Sequence, residues 1–102
     1  MYFTKEDIKN KKITIIGLKK SGYSAAILAY SCGAEVFVSD CKDDNDTRIN
    51  YNKLVKKGIQ CEIGKHSDRI FNSNFWIISP GVPKDTDIIH KAKKLNIKVL
   101  GE

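Results

Sequence analysis

Three short segments of this chain carry residue types suited to holding a small anionic ligand. The first is Gly17-Leu18-Lys19-Lys20-Ser21-Gly22, two glycines around a basic, hydroxyl-bearing stretch. At a strand-to-helix turn such a segment aims backbone N–H groups and the positive end of a helix dipole at one place, so a phosphate is its natural guest. The same glycines would also serve simply to make the turn tight and bring the helix close. The second is Asp40, 23 residues beyond Gly17, near where dinucleotide-binding folds carry the acid that holds a ribose. A carboxylate there can accept from a ribose hydroxyl or a nucleobase N–H, or cap the following loop. If it reads a base, its removal should spare the binding of bare pyrophosphate. Lys42 can meet an anion or pair with Asp43 and Asp44. The third segment is Ser79-Pro80-Gly81-Val82-Pro83, in which Pro80 forces Ser79 into an extended conformation and leaves a hydroxyl on a rigid loop.

Other chemistries find less support. Against the dinucleotide fingerprint G-x-G-x-x-G, the first turn keeps Gly17 and Gly22 but has Lys19 at the middle position, which weakens a nicotinamide reading. His66 and His90 stand alone in the sequence, without an acid or nucleophile at catalytic spacing, so neither metal nor acid/base work is assigned to them. Cys32, Cys41 and Cys61 are odd in number and lack a C-x-x-C pair, which encodes neither a disulfide framework nor a zinc site.

The whole chain has 102 residues, 41% of them hydrophobic, enough for one domain with a single modest core. Eighteen Lys and Arg stand against 12 Asp and Glu, a net charge of +6. The basic residues are scattered, and only Arg48 and Arg69 offer bidentate geometry, so a solvating surface is expected rather than a nucleic-acid partner. No apolar run approaches the roughly 20 residues of a membrane span, and Met1 to Asn10 lacks a secretory pattern. A cytoplasmic location is expected.

The elements that must position the three segments alternate along the chain. Lys12 to Gly17 is a β-branched run ending at a glycine, as suits a parallel strand covered on both faces. A helix over Gly22 to Cys32 follows, with Gly33 as its C-cap; Glu35 to Ser39 is the second strand. Asp43 to Asp46 supply capping for a helix from Thr47 to Lys57, with Ile49, Tyr51, Leu54 and Val55 inward and Gly58 as its stop. Ile59 to Ile63 and Phe75 to Ser79 are the third and fourth strands. Asp85 or Thr86 caps a last helix reaching Leu95 through Ile88, Ile89 and Ala92, and Ile97 to Leu100 closes the set. This alternation predicts an α/β fold: a Rossmann-like doubly wound parallel sheet of about five strands in the order 3-2-1-4-5. Ligands then bind where Gly17, Asp40 and Ser79 converge, above the carboxyl ends of the strands.

The segments I-I-G-L-K-K-S-G-Y-S-A-A, G-A-E-V-F-V-S-D, G-K-H, I-I-S-P-G-V-P and the closing V-L-G-E together resemble the amino-terminal domain of the Mur ligases, in particular of the branch that adds D-glutamate. The resemblance covers Lys12 to Glu102. It implies that the chain is the UDP-binding domain, residues 1–102, of a longer enzyme that joins D-glutamate to UDP-N-acetylmuramoyl-L-alanine in peptidoglycan synthesis, using ATP and Mg²⁺. The backbone at Lys20 and Ser21 would contact the diphosphate, Asp40 with Cys41 and Lys42 would hold the uracil, and Ser79 would lie beside the diphosphate. Departures are Lys19 where the family often has glycine, and Cys41 where a hydroxyl is common. The G-K-[ST] phosphate loop that opens the family's ATP-binding domain does not occur in the chain. The chain is therefore expected to be a piece without cofactor or catalysis of its own, a monomer, with central and carboxyl-terminal domains lying outside it. The alternative is a stand-alone NAD(P)-binding module.

Overall fold

The computed structural model describes residues 5–82 and 86–101; the expectations for Pro83, Asp85 and Glu102 lie outside them. The elements run α1 (Lys5–Ile8), β1 (Lys12–Ile16), α2 (Lys20–Ser31), β2 (Glu35–Asp40), α3 (Asn45–Lys56), β3 (Gln60–Ile63), a 3₁₀ turn (Asp68–Phe71), β4 (Phe75–Ile78), α4 (Asp87–Lys94) and β5 (Lys98–Gly101). The five strands form one sheet in the order β3-β2-β1-β4-β5, as predicted, and every neighbouring pair is parallel. β1 lies in the middle, with Ile15 in register with Val38 on one side and Ile77 on the other.

Apolar side chains leave the sheet on both faces, which is why the strands read as nearly continuous hydrophobic runs. On one face Ile13, Ile15, Val36, Val38 and Ile77 pack under α1, α2 and α3. The other carries Ile16, Trp76 and Ile78 against Ile70 of the 3₁₀ turn and Ile89 and Ala92 of α4. Trp76 is fully buried and donates its Nε1–H to the Ile70 carbonyl at 2.6 Å, so its one polar atom is satisfied. α2 turns Gly22, Ala25, Ala26 and Ala29 to the sheet, and these small side chains let its axis lie close to β1 and β2.

Several expectations need correction. α2 begins two residues earlier than expected, at Lys20, and α3 begins at Asn45 because Asp44 caps it, accepting from the Thr47 N–H at 2.9 Å. Ile49 and Val55 are not inward: they are 52% and 48% exposed, whereas Thr47 and Leu54 are buried and Tyr51 is half-buried. Positions 47, 51 and 54 make one helical stripe, and Ile49 falls on the opposite side. Leu95, 52% exposed, lies past the end of α4; Asn96 takes φ +63° there and the chain returns through buried Ile97. Thr86 stands at the α4 N-cap without a side-chain capping bond. α1, which the sequence reading did not assign, places Ile8 in the core at 1% exposure.

Candidate functional site

The carboxyl ends of β1, β2 and β4 open into a crevice of about 320 Å³ at the point where strand order reverses. Gly17, Lys19, Lys20 and Ser21 line it from the first turn, Asp40, Cys41 and Lys42 from the second, and Ser79 to Val82 from the loop after β4. The three segments singled out in the sequence therefore meet. Leu18 and Gly22 belong to the same turn but are buried beneath it. A smaller hollow beside α1 is lined by Ile8, Ile13, Phe75 and Ile77 and offers no comparable set of anion-binding groups.

The turn and the β4 loop are locked together by close approach. Gly17 has φ +103°, a conformation that favours glycine, and a Cβ built there would lie 2.8 Å from the Ser79 Cβ. A Cβ on Gly22 would overlap the Gly17 carbonyl oxygen and come within 2.8 Å of the Ser79 Oγ. Ser79, 7% exposed, donates its hydroxyl to the Gly17 carbonyl at 3.2 Å, and the Val82 N–H returns to the Ser79 carbonyl at 3.0 Å. The glycines thus serve packing, and this packing fixes the first turn of α2 at the crevice. That turn has no side-chain cap and no acidic residue, and it carries Lys20 beside Lys19. Its leading N–H groups can meet an anion.

Asp40 is 7% exposed and spends both carboxylate oxygens on backbone. Oδ2 accepts from the Leu18 N–H and Oδ1 from the Lys42 N–H, each at 2.8 Å. One buried acid therefore ties its own loop to a turn 22 residues earlier in the sequence. Asn50, which the sequence reading did not single out, closes the other side of the turn by donating to the Leu18 carbonyl at 2.9 Å. Asp43 is engaged by Arg48, Nε to Oδ1 at 2.6 Å on the open surface, rather than by Lys42.

His66 is not alone, as its sequence neighbourhood suggests. It lines the crevice, and its Nδ1 lies 2.7 Å from the Ser39 Oγ. The Ser39 hydroxyl donates to Glu62 Oε2 at 2.6 Å, and the same oxygen accepts from the Ser67 N–H at 2.8 Å. Burial alone would raise the Glu62 carboxyl, but the hydrogen bonds from Ser39 and Ser67 outweigh it and hold the group below its ordinary range. Burial pushes the His66 imidazole below its usual value, while the charges of Asp40 and Glu62 pull it partly back. The trio is no nucleophilic triad: Ser39 is fully buried, and the carboxylate binds the serine rather than the imidazole. The bare sequence signal, Ser39 followed after 23 and 27 positions by Glu62 and His66, becomes readable only once β2 and β3 are known to be paired. Cys41 is exposed at the crevice, while Cys61 is half-buried and burial pushes its thiol up to about 12.

Comparison with known proteins gives a consistent result. The family model described as "Mur ligase MurD-like, N-terminal domain" matches residues 11–101. The chain is 39% identical over 99 residues to the UDP-N-acetylmuramoylalanine--D-glutamate ligase of Chloroherpeton thalassium, covering 97% of this chain and 21% of that protein. It is 36% identical to the ligase of the same name from Bdellovibrio bacteriovorus, covering 100% of this chain and 22% of that one. The chain thus spans about one-fifth of the length of these curated relatives. Among solved structures, the UDP-N-acetylmuramate-alanine ligase of Thermotoga maritima superposes with a TM-score of 0.73 at 23% identity, over 90% of this chain and 21% of that one. The dipicolinate synthase A chain of Bacillus subtilis superposes with a TM-score of 0.69 at 12% identity, over 100% of this chain and 39% of that one. Identities this low speak to the fold alone.

Proposed function

The chain belongs to the family of Mur ligase MurD-like N-terminal domains, and from that premise we propose that its crevice seats the uridine diphosphate portion of UDP-N-acetylmuramoyl-L-alanine. The observation that carries the reading is the uncapped first turn of α2, fixed by the Gly17–Ser79 contact and flanked by Lys19 and Lys20, at the switch point of the sheet. In this reading the N–H groups at Lys20 and Ser21 meet the diphosphate, with Ser79 bordering it from the opposite loop. Asp40, Cys41 and Lys42 border the uracil, the Asp40 carboxylate acting by holding the walls in place. Lys19, Lys20 and Lys42 are all exposed, so their charge is available to the ligand.

As part of a longer ligase, the domain would present its precursor for addition of D-glutamate, with ATP and Mg²⁺ acting elsewhere. This would be a cytoplasmic step of peptidoglycan synthesis, serving cell-wall growth, cell shape and division, and the domain would act as a monomer. The G-K-[ST] loop that opens the family's ATP-binding domain does not occur in these residues, so ATP and Mg²⁺ are assigned to the rest of the ligase. No described helix is long and apolar enough to cross a membrane. Calorimetric titration with UDP, pyrophosphate and NAD tests the reading. UDP should bind more tightly than either, and tighter binding of NAD would replace it with a dinucleotide module.

A further inference from the structure

Lysines that lie apart in the sequence meet at the pole of the fold opposite the crevice. All the strands are parallel, so the helices between them run back antiparallel, and α2, α3 and α4 end at the edge where the strands begin. Lys56 and Lys57 close α3, and Lys93 and Lys94 close α4. Lys11 and Lys12 lead into β1, and Lys98 opens β5. Backbone bonds draw these starts together: the Glu35 N–H donates to the Lys11 carbonyl at 2.8 Å, the Asn74 N–H to the Lys12 carbonyl at 2.8 Å, and the Lys98 N–H to the Asn74 carbonyl at 3.3 Å. All of these lysines are exposed. The acids beside them are Glu6, Asp7 and Glu35, so much of the net charge of +6 sits on this pole.

Lysines in a last helical turn complement the helix dipole, which accounts for those of α3 and α4 but not for those at the starts of β1 and β5. Nor does it account for the apolar side chains among them. Tyr30, Val55 and Leu95 are 46%, 48% and 52% exposed, and they stand at the ends of α2, α3 and α4 respectively. One exposed apolar residue is ordinary; three on the pole where the lysines gather make a mixed cationic and apolar surface. We propose that this pole docks on an anionic lipid bilayer, the lysines meeting headgroup phosphates while Tyr30, Val55 and Leu95 enter the interfacial layer. A nucleic acid would use the charge alone, because a phosphate backbone offers nothing to Val55 or Leu95, and lysines lack the planar fork that reads bases. The proposal is independent of what the crevice holds. Docked in this way, the domain turns the crevice away from the lipid.

Co-sedimentation with vesicles of phosphatidylcholine mixed with phosphatidylglycerol, and with vesicles of phosphatidylcholine alone, tests the proposal. The mixed vesicles should carry down the wild-type chain at about 0.05 M salt and release it above about 0.5 M, where charges are screened within a few ångströms. The neutral vesicles should leave it in solution. A lysine near such a surface contributes about fivefold in partition, so Lys93→Gln with Lys94→Gln should weaken binding about tenfold or more. Lys56→Gln with Lys57→Gln, on another helix, should do the same. Arg48→Gln with Lys65→Gln removes as much charge from the crevice pole and should weaken binding less than about twofold. Leu95→Ser should weaken it about threefold without altering its salt dependence. Unchanged melting temperatures show that these exposed substitutions leave the fold intact. Absence of binding, equal binding to neutral vesicles, or equal losses from the lysine pairs and the Arg48/Lys65 pair overturns the proposal. Tighter binding to a DNA duplex than to the mixed vesicles, indifferent to Leu95→Ser, also overturns it and makes the pole a nucleic-acid surface.

Discussion

Removing the Asp40 carboxylate tests whether this acid is a wall of the site or a reader of its ligand. In Asp40→Ala the Leu18 N–H, in a residue of 0% exposure, loses the carboxylate that accepts from it. A hydrogen bond to a charged group contributes about 1.5 to 3 kcal/mol, and stranding a buried donor costs a similar amount. The bond to the Lys42 N–H lies nearer solvent and adds about 0.5 to 1.5 kcal/mol. The expected loss is about 2 to 4 kcal/mol, on the order of 10 to 25 °C in melting temperature for a domain of this size. Asp40→Asn keeps one acceptor and turns an NH₂ toward the other N–H, so it should lose about half as much. Because the clamp shapes the phosphate turn, Asp40→Ala should weaken pyrophosphate as well as UDP, contrary to the sequence-based expectation that pyrophosphate would be spared. Thermal melting and calorimetric titration of both variants decide the matter. Unchanged melting with loss confined to UDP would show that Asp40 reads the base, and the clamp argument would be refuted.

Three further outcomes follow from the same geometry. Gly22→Ala should melt at least about 10 °C lower and lose pyrophosphate binding, since the overlap with the Gly17 carbonyl outweighs the roughly 1 kcal/mol helix-propensity gain; an unchanged melt counts against the packing argument. Cys41 should be the first thiol modified at about pH 8, because Cys61 is pushed up to about 12 and Cys32 is half-buried, and saturating UDP should slow the reaction; mass spectrometry locates the label. His66 and Glu62 both bind protons less readily folded than unfolded, so their stabilisation is fully present above their unfolded values and is lost on acidification. Melting temperature should begin to fall below about pH 6.5 and fall further below about pH 4.3, with the first stage missing in His66→Gln.

The order of the sheet was legible because its signals are local. A β-branched run ends at Gly17, and the stops at Gly33 and Gly58 both take positive φ. The convergence of Gly17, Asp40 and Ser79 followed from that order alone. What was not legible depends on the spatial pairing of segments. Asn50 matters because α3 brings it to the Leu18 carbonyl, and His66 matters because β3 lies beside β2. The inner face of α3 departs from its apolar pattern because a buried threonine, Thr47, occupies a position where periodicity favours an apolar residue, while Ile49 and Val55 face solvent. α1 went unassigned because one turn with a single apolar residue, Ile8, carries too little periodicity to detect.

Lys19 is the point at which the sequence argues most strongly against a diphosphate, since a glycine there lets backbone approach a pyrophosphate closely. The structure removes part of that objection. Lys19 has φ −80° and ψ −170°, ordinary extended backbone for any residue, so the turn does not need glycine at this position. The side chain is exposed at the rim of the crevice, where its charge can act on a ligand across a short aqueous gap. Exposed charge pairs contribute roughly 0.2 to 1 kcal/mol, so Lys19→Ala should weaken UDP by about 1.5- to 5-fold, with a smaller effect at high salt. Lys19→Gly removes the same charge and also the Cβ. If charge is the whole contribution, the two variants should weaken UDP equally in parallel titrations at low and high salt. Tighter binding by Lys19→Gly than by wild type would show that the lysine side chain obstructs the phosphates, and that this turn binds its anion in spite of Lys19 rather than through it.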